Sequence, residues 1–307
     1  PRAQAADWPT YRGDVARSGY TAETIPNQLR LRWQHRASRP PQPAWPTSER
    51  MDFDLAFQPI IVGDIVVYGS SADDQVHALD ARTGAVRWRF FTEGPIRFAP
   101  VAWQDRVFVA SDDGWLYALA LADGRLLWKH RGGPGVQQVF GNERMISHWP
   151  VRGGPVVLGD RVYLTAGIWP SDGVFIQALD AASGRLAWSN SETGRMLMKQ
   201  PHGGAEAVSG VAPQGYLLAS ADALVVPTGR AVPAVFELED AIDDRQRLGN
   251  ALPLVELHRP RIFLVDEPPL EVLALAPGVV RDERPRDALD DLVVELHRLA
   301  EVVLLDE

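Results

Sequence analysis

Two glycine-rich stretches of the chain carry the residue types from which a polar site could be built. They span residues 132–154 and 199–206, and the candidate contact residues in them are Glu143, His148, Trp149, His202 and Glu206. Imidazole and carboxylate groups that converge can ligate a metal ion or act as an acid and a base. The alternative interpretation is that they are ordinary solvated loop residues, since no His-x-x-x-His spacing supports a metal site. We therefore assign no catalytic, cofactor-binding or metal-binding residue, and we predict contacts with a partner at these loops.

Two tryptophans stand outside any repeated pattern. Trp115 and Trp169 are further candidates for an exposed aromatic contact, for example with a sugar or another polymer. Trp88, Trp128 and Trp188 instead recur at equivalent places in three similar stretches. A recurring indole favours a packing role, because its large apolar body can fill the space between repeated units.

The elements that position the loops are repeats of one another. Residues 76–88, 116–128 and 176–188 are similar in sequence, and their tryptophans are 40 and then 60 residues apart. The longer gap places an insertion of about 20 residues in the third unit, on a repeat length of about 40. A period of that length with strand and turn content is typical of a β-propeller blade.

Each unit is predicted to form four strands. A Pro-hydrophobic pair opens the first strand, a polar turn leads to a β-branched second strand, and the third runs into an Asp-x-x-Thr/Ser-Gly turn before the tryptophan strand. In the second unit Ala120 replaces the capping aspartate, so we expect that turn to be less stable by about 1 kcal/mol. The residues that define the repeat are Asp80, Gly84, Trp88, Gly124, Trp128, Asp180, Gly184 and Trp188.

Two partial units flank the three complete ones. Residues 29–33 resemble a lone fourth strand of the kind that closes a propeller ring, and residues 214–236 resemble a blade interrupted before its Asp-x-x-Thr-Gly turn. The predicted fold is therefore all-β: a propeller of four-stranded blades, incomplete as a ring, followed by an atypical acidic tail.

At residues 78–88 and 178–188 the chain resembles the pyrroloquinoline-quinone-like (PQQ-like) propeller repeat proteins, whose blades end in Ala-Leu-Asp-x-x-Thr-Gly-x-x-x-Trp. The opening Asp-Trp-Pro-Thr-Tyr-Arg-Gly-Asp at residues 7–14 also resembles the start of exported members, and the resemblance covers residues 7–236.

The resemblance implies one of two functional branches. Quinoprotein dehydrogenases bind PQQ and calcium on the propeller axis and characteristically stack the quinone on a disulfide of adjacent cysteines. The other branch has no cofactor and binds proteins, as does the propeller of the outer-membrane β-barrel assembly machinery. The chain has no cysteine. We therefore expect a non-enzymatic scaffold without a cofactor that binds a protein or another macromolecule on a propeller face; the alternative is a PQQ-dependent oxidoreductase with calcium.

Composition restricts the partners and the compartment. Residues 1–236 hold 22 acidic and 23 basic residues, so this part is close to neutral and offers no basic face for nucleic acid. No apolar run is long enough for a transmembrane helix. Ala3-Gln4-Ala5 fits the small-x-small rule for signal peptidase. We interpret residues 1–6 as the remnant of a signal peptide and expect a periplasmic or extracellular protein.

The composition changes at residue 237. Residues 237–307 contain no Trp or Tyr, and their 18 acidic residues exceed their 8 arginines. Val-Glu-Leu-His-Arg occurs at 255 and again at 294, a spacing close to the blade period. One hypothesis is a blade-coding stretch translated in another reading frame. The alternative is a genuine helical or disordered interaction tail, with an amphipathic helix over residues 287–305.

Overall fold

The computed structural model describes residues 7–24, 28–46, 54–199, 205–228, 233–238 and 301–306. One short 3-10 helix, Pro170–Asp172, accompanies the strands. No helix among these residues is long and apolar enough to cross a membrane. The strands are β1 (Arg30–Arg36), β2 (Ile60–Val62), β3 (Ile65–Gly69), β4 (Gln75–Asp80), β5 (Val86–Phe91), β6 (Val101–Trp103), β7 (Arg106–Ala110), β8 (Trp115–Ala120), β9 (Leu126–Arg131), β10 (Gln138–Phe140), β11 (Met145–Ser147), β12 (Val156–Leu158), β13 (Arg161–Ala166), β14 (Phe175–Asp180), β15 (Leu186–Asn190), β16 (Met196–Lys199), β17 (Glu206–Ser209), β18 (Leu218–Ala219), β19 (Ala223–Val226), β20 (Ala234–Glu237) and β21 (Glu301–Asp306).

Three complete blades form the described fold, which confirms the all-β propeller. Each is an antiparallel sheet whose strands follow chain order: β2 to β5, β6 to β9, and β12 to β15. A fourth sheet of three strands, β18 to β20, follows them. The first strands of successive blades lie next to one another, β2 against β6, β6 against β12 and β12 against β18. The blades therefore fan out from a common axis lined by their first strands.

The tryptophans of the first and second blades pack on the glycine turn of the next blade. Gly124 has a φ of +73°, and a Cβ built on it would lie 2.5 Å from a ring carbon of Trp88. The Trp88 indole N–H also donates to the backbone oxygen of Leu121 at 2.9 Å. Trp128 packs on Gly184 in the same way, since the built Cβ would lie 2.6 Å from its indole, although the Trp128 N–H has no hydrogen-bond partner among the described residues. The glycine is needed both for its left-handed backbone and for the close approach of the ring.

The same contact explains the lone strand β1. A Cβ on Gly84 would lie 2.7 Å from the Trp33 ring, and the Trp33 indole N–H donates to the oxygen of Ala81 at 2.9 Å. Strand β1 therefore occupies the place of a fourth strand that precedes the first blade, as predicted.

The turn caps differ between the units in the way the sequence predicts. The Asp80 carboxylate accepts bonds from the backbone N–H groups of Arg82 and Thr83, each at 3.0 Å. In the second blade Ala120 has no such side chain, and Asp123 instead accepts a bond from the N–H of Arg125. The backbone bond that closes the turn is nonetheless present, since the Gly124 N–H donates to the Ala120 oxygen at 2.8 Å.

An N-terminal segment, residues 7–19, ties the inner strands together. Backbone bonds join Trp8 to Ile61 of the first blade and the Pro9 oxygen to the N–H of Ala102 in the second. Arg17 is buried, and its guanidinium donates to the oxygens of Pro155 at 2.8 Å and Leu217 at 3.0 Å. Burial lowers the pKa of Arg17 to about 10. Segment 7–19 therefore contacts the three complete blades and the fourth sheet near the axis.

The predicted C-terminal helix is wrong over residues 301–305. These residues lie in β21, which pairs antiparallel with β1 in a register that sets Glu301 opposite Arg36. The edge of β1 offers unpaired backbone groups, and β-branched residues such as Val302 and Val303 favour an extended chain. The described residues do not include 1–6, 239–300 or 307. The rest of the predicted helix and the predicted signal-peptide remnant therefore lie outside them.

Candidate functional site

One face of the blades collects the longest loops. Because neighbouring strands are antiparallel, the connections from second to third strand and from fourth strand to the next blade emerge at the same end. The connections between blades on this face, here called the loop face, span residues 92–100, 132–155 and 191–217. At the opposite end, the described residues of the three complete blades form the short turns of the repeat.

The insertion at 132–155 forms a hairpin that projects from the loop face. In this first hairpin, β10 and β11 pair so that Phe140 lies opposite Met145. Phe140 is 76% exposed and Met145 48%, and the preceding Val136 is 72% exposed. Residues that face each other across a pair of strands project to the same side, so Phe140 and Met145 lie on one side of the hairpin, and Val136 lies just before its first strand. The hairpin therefore presents a solvent-facing apolar cluster.

Polar residues of the insertion hold this hairpin in place. His148 Nε2 lies 3.2 Å from an Asp172 carboxylate oxygen, and the Trp149 indole N–H donates to the Asp172 backbone oxygen at 2.7 Å. On the other side, Arg144 donates to the Ser71 oxygen at 2.9 Å and to Asp74 at 2.6 Å. Two of the residues singled out from the sequence, His148 and Trp149, thus fix the hairpin to the third blade.

Glu143 lies at the tip of the first hairpin, in a left-handed backbone conformation with a φ of +61°. Its position between β10 and β11 leaves it available to a partner that approaches the loop face. Neither its type nor its spacing in the sequence indicates this placement, which depends on the hairpin turn.

A second hairpin extends from the next connection. Strands β16 and β17 pair so that Leu197 lies opposite Val208 and Lys199 opposite Glu206. Leu197 is 68% exposed and Val208 54%. His202 lies outside the described residues. Consecutive connections on one face thus each carry an exposed apolar pair, one on each strand of a hairpin.

A buried ion cluster lies beneath the loop face. Asp112 is 2% exposed and accepts bonds from Arg97 at 2.6 Å and from Arg152 at 2.5 Å. Burial alone would raise the pKa of the Asp112 carboxyl, but the charges of the two guanidinium groups outweigh it and lower that pKa. Arg97 also pairs with Asp54 at 2.8 Å. The cluster is internally neutralised, which suits it to holding loops rather than to binding a charged substrate.

Residues 38–46 cross the loop face as a strap. The Gln42 N–H donates to Ser71 Oγ at 2.9 Å, and the Gln42 oxygen accepts a bond from Arg97 at 2.6 Å. The Pro43 oxygen accepts a bond from Asn142 in the first hairpin. The strap therefore links the first blade, the second blade and the first hairpin.

The two unpatterned tryptophans have different surroundings. Trp169 is 38% exposed on the loop face and meets Trp45 of the strap edge-on, with ring centroids 6.4 Å apart. Trp115 is half-buried, and its ring is covered by Lys129 at 4.3 Å and by Arg131 at 4.6 Å. Trp169 is therefore the better placed of the two for contact with a partner.

Comparison with known proteins agrees with the blade geometry. A family profile described as outer membrane protein assembly factor BamB matches residues 30–148. The crystal structure of quinohemoprotein alcohol dehydrogenase from Comamonas testosteroni superimposes with a TM-score of 0.57 at 21% identity, over 78% of this chain and 41% of that one. A europium-containing methanol dehydrogenase gives a TM-score of 0.54 at 16% identity, over 74% of this chain and 42% of that one.

The described residues have the fold of the PQQ-like β-propellers. Among curated proteins, this PQQ-like propeller is 25% identical to quinohemoprotein alcohol dehydrogenase of Comamonas testosteroni over 202 residues, 61% of this chain. It is 30% identical to quinohemoprotein alcohol dehydrogenase ADH IIB of Pseudomonas putida over 138 residues, 41% of this chain. The chain spans only 26% and 18% of the length of these two relatives.

The described residues of this PQQ-like propeller do not fit a calcium-bound quinone. Within those residues, no three His, Asp or Glu side chains form a group that could hold a metal ion. The acids beneath the loop face, Asp54, Asp74 and Asp112, are each paired with arginine. Near the axis, Tyr11 and Tyr216 stack with ring centroids 3.7 Å apart. A stacked tyrosine pair thus occupies part of the space beside the inner strands.

Proposed function

We propose that this chain is an exported, non-enzymatic propeller scaffold that binds another protein through its loop face. The observation that supports the proposal is the pair of hairpins, whose Phe140–Met145 and Leu197–Val208 pairs point into solvent. Exposed apolar clusters on rigid supports are typical of protein-binding surfaces.

The anchoring of the first hairpin supports the same proposal. Arg144, His148 and Trp149 fix it to the first and third blades. A contact surface that is already ordered loses little conformational entropy when it binds. The partner therefore meets a preformed apolar ridge rather than a flexible loop.

Site-specific photo-crosslinking in the native host tests the proposal. The full chain carries p-benzoylphenylalanine in place of Phe140 and, as the matched control, in place of Leu186, which is 47% exposed at the opposite end of the third blade. We expect a discrete protein adduct from position 140 and none from 186. In the chain that carries p-benzoylphenylalanine at position 140, Met145→Ser should reduce the yield of the adduct, and Leu186→Ser should not. Equal adducts from both positions, or none from position 140, would remove the loop face as the binding surface.

Export is tested separately by cell fractionation. The proposal rests on the small-x-small sequence at residues 3–5 and on the resemblance to exported proteins. The protein should be recovered outside the cytoplasm. Recovery in the cytoplasmic fraction would contradict the proposed export. It would not affect the proposal that the loop face binds a protein, which the crosslinking experiment tests.

The alternative proposal is a PQQ-dependent oxidoreductase, favoured by the similarity to quinohemoprotein alcohol dehydrogenases. Titration of the full chain with PQQ and Ca²⁺ separates the two. Tight stoichiometric binding accompanied by dye-linked alcohol oxidation would replace the scaffold, whereas the scaffold predicts neither.

A further inference from the structure

A cavity of about 330 Å³ lies at the rim of the first blade, away from both hairpins. Residues 35–39, at the end of β1 and just beyond it, form one side, and the first blade forms the other. Its size is at the lower end of the range for small-molecule sites. The cavity shares no lining residue with the apolar pairs of the loop face.

An ordered aromatic wall lines the cavity. The His77 ring stacks on Tyr68 with centroids 4.8 Å apart and planes 4° apart, and the Tyr68 hydroxyl lies 3.1 Å from His35 Nε2. His77 Nε2 lies 3.0 Å from an Asp73 oxygen. Burial would raise the pKa of Asp73, but hydrogen bonds from His77 and Ser70 outweigh it and lower that pKa. The ionised carboxylate therefore fixes the Nε2–H tautomer of His77.

That tautomer leaves a buried polar atom without a partner. His77 is 7% exposed, and its Nδ1 makes no hydrogen bond to any described residue. In the Nε2–H tautomer this nitrogen is a hydrogen-bond acceptor, so it can accept from a water molecule or a hydroxyl group but does not itself attract an anion. The orphaned atom lies on a residue of the cavity wall.

The rim of the cavity is basic although the chain carries a net charge of −9. Arg89 lies opposite His77 in the strand register and Arg39 lies on the facing side. Both are exposed, and neither makes an ion pair with any residue the structure describes. Arg36 also lines the cavity, and among the described residues that line it Asp73 carries the one carboxylate, which His77 already engages. Guanidinium groups in this arrangement favour a carboxylate or a phosphate.

We propose that this cavity binds a small organic anion through Arg39 and Arg89, with the Tyr68–His77 pair as its wall. The ligand class is a compact carboxylate or phosphate compound that fits beside a flat aromatic surface. This site is independent of the loop face and of any macromolecular partner.

Calorimetric titration of the full chain at low ionic strength tests the site, with inorganic phosphate and citrate as separate probes. We expect saturable binding of at least one probe at one site per chain. Arg89→Gln and Arg39→Gln should each weaken binding about tenfold or more, as expected for the loss of a charge-assisted bond. Arg125→Gln, the same change of charge in a turn at the far end of the second blade, is the matched control and should bind as the parent does.

A histidine NMR signal provides the second readout. Binding beside the aromatic wall should shift the ring resonances of His77, assigned by their loss in His77→Asn, in the parent and in Met145→Ser alike. Absence of saturable binding with both probes, unchanged affinity in both arginine variants, or equal weakening by Arg125→Gln would overturn the proposal. None of these outcomes bears on partner binding at the hairpins.

Discussion

Two glycine-to-alanine substitutions test the tryptophan–glycine contact between blades. Both place a Cβ on a left-handed backbone, but only one of them places that Cβ against an indole ring. Gly124 and Gly63 both have a left-handed backbone, with φ values of +73° and +58°. A Cβ at Gly124 would lie 2.5 Å from the Trp88 ring, whereas a Cβ at Gly63 would have no atom within 4 Å. Gly63→Ala therefore measures backbone strain alone, and Gly124→Ala adds the displacement of the indole.

The expected magnitudes follow from those two terms. The left-handed conformation costs a residue with a Cβ about 1–2 kcal/mol, so Gly63→Ala should lower the free energy of unfolding by that amount. Displacement of a tightly packed ring adds about 1–3 kcal/mol. Gly124→Ala should therefore destabilise the protein by about 2–5 kcal/mol.

Urea unfolding followed by far-ultraviolet circular dichroism measures both variants against the parent, with tryptophan fluorescence reporting the indoles themselves. In Gly124→Ala the native-state emission, which sums all ten tryptophans, should also shift toward that of an exposed indole, because the Trp88 ring loses its contact with the turn. Equal destabilisation by the two substitutions, with unchanged native fluorescence, would refute the idea that the glycine is required by the indole.

Two further predictions concern the turn caps and the ion cluster. Ala120→Asp should supply the cap missing from the second blade and raise the free energy of unfolding by about 1 kcal/mol, measured by the same urea titration. Asp112→Asn should be destabilising near neutral pH, because it leaves the two buried arginines without their shared carboxylate. The folded-state pKa of Asp112 is lowered, so its stabilising effect is present above its ordinary pKa of about 4 and is lost as the pH falls through the folded value. The difference between parent and Asp112→Asn should therefore be largest near pH 7 and shrink below about pH 4; a difference that grows as the pH falls would contradict this sign.

The repeated part of the fold was predictable because its determinants are local. The β-branched second strand predicted for each unit is Ile65–Gly69 in the first blade, and the indole packing predicted for Trp88 and Trp128 is confirmed. A turn closed within five residues and an alternating strand depend on side chains that are adjacent in sequence. Periodicity therefore contains the information needed to locate them.

The N-terminal segment was not predictable in the same way. Arg17 donates to the backbone oxygens of Pro155 and Leu217, which are 138 and 200 residues away along the chain. Nothing in the amino-acid sequence of residues 7–19 identifies those acceptors, since any backbone carbonyl can accept a hydrogen bond from a guanidinium group. Arg17 meets these two oxygens only when the three blades and the fourth sheet pack around one axis.

The candidate site falls between these cases. The sequence identified the two loops and named His148 and Trp149, which the structure places in the anchor of the first hairpin. It did not identify Phe140 or Met145, which carry the exposed apolar surface. Residues 136–140 read Val-Gln-Gln-Val-Phe, which does not alternate between apolar and polar residues, so no strand pattern marked this surface in the sequence.

Exposure alone does not identify a binding surface in a repeat protein. Each blade exposes one aliphatic residue at the start of its fourth strand, two positions before the tryptophan: Val86, Leu126 and Leu186. Since these three recur at one position of the repeat, their exposure is a consequence of the blade geometry. Phe140 and Leu197 have no counterpart in the repeat, because both lie on hairpins inserted between blades. Apolar exposure that departs from the repeat is therefore the informative kind, which is why Leu186 is the proper control for the loop face.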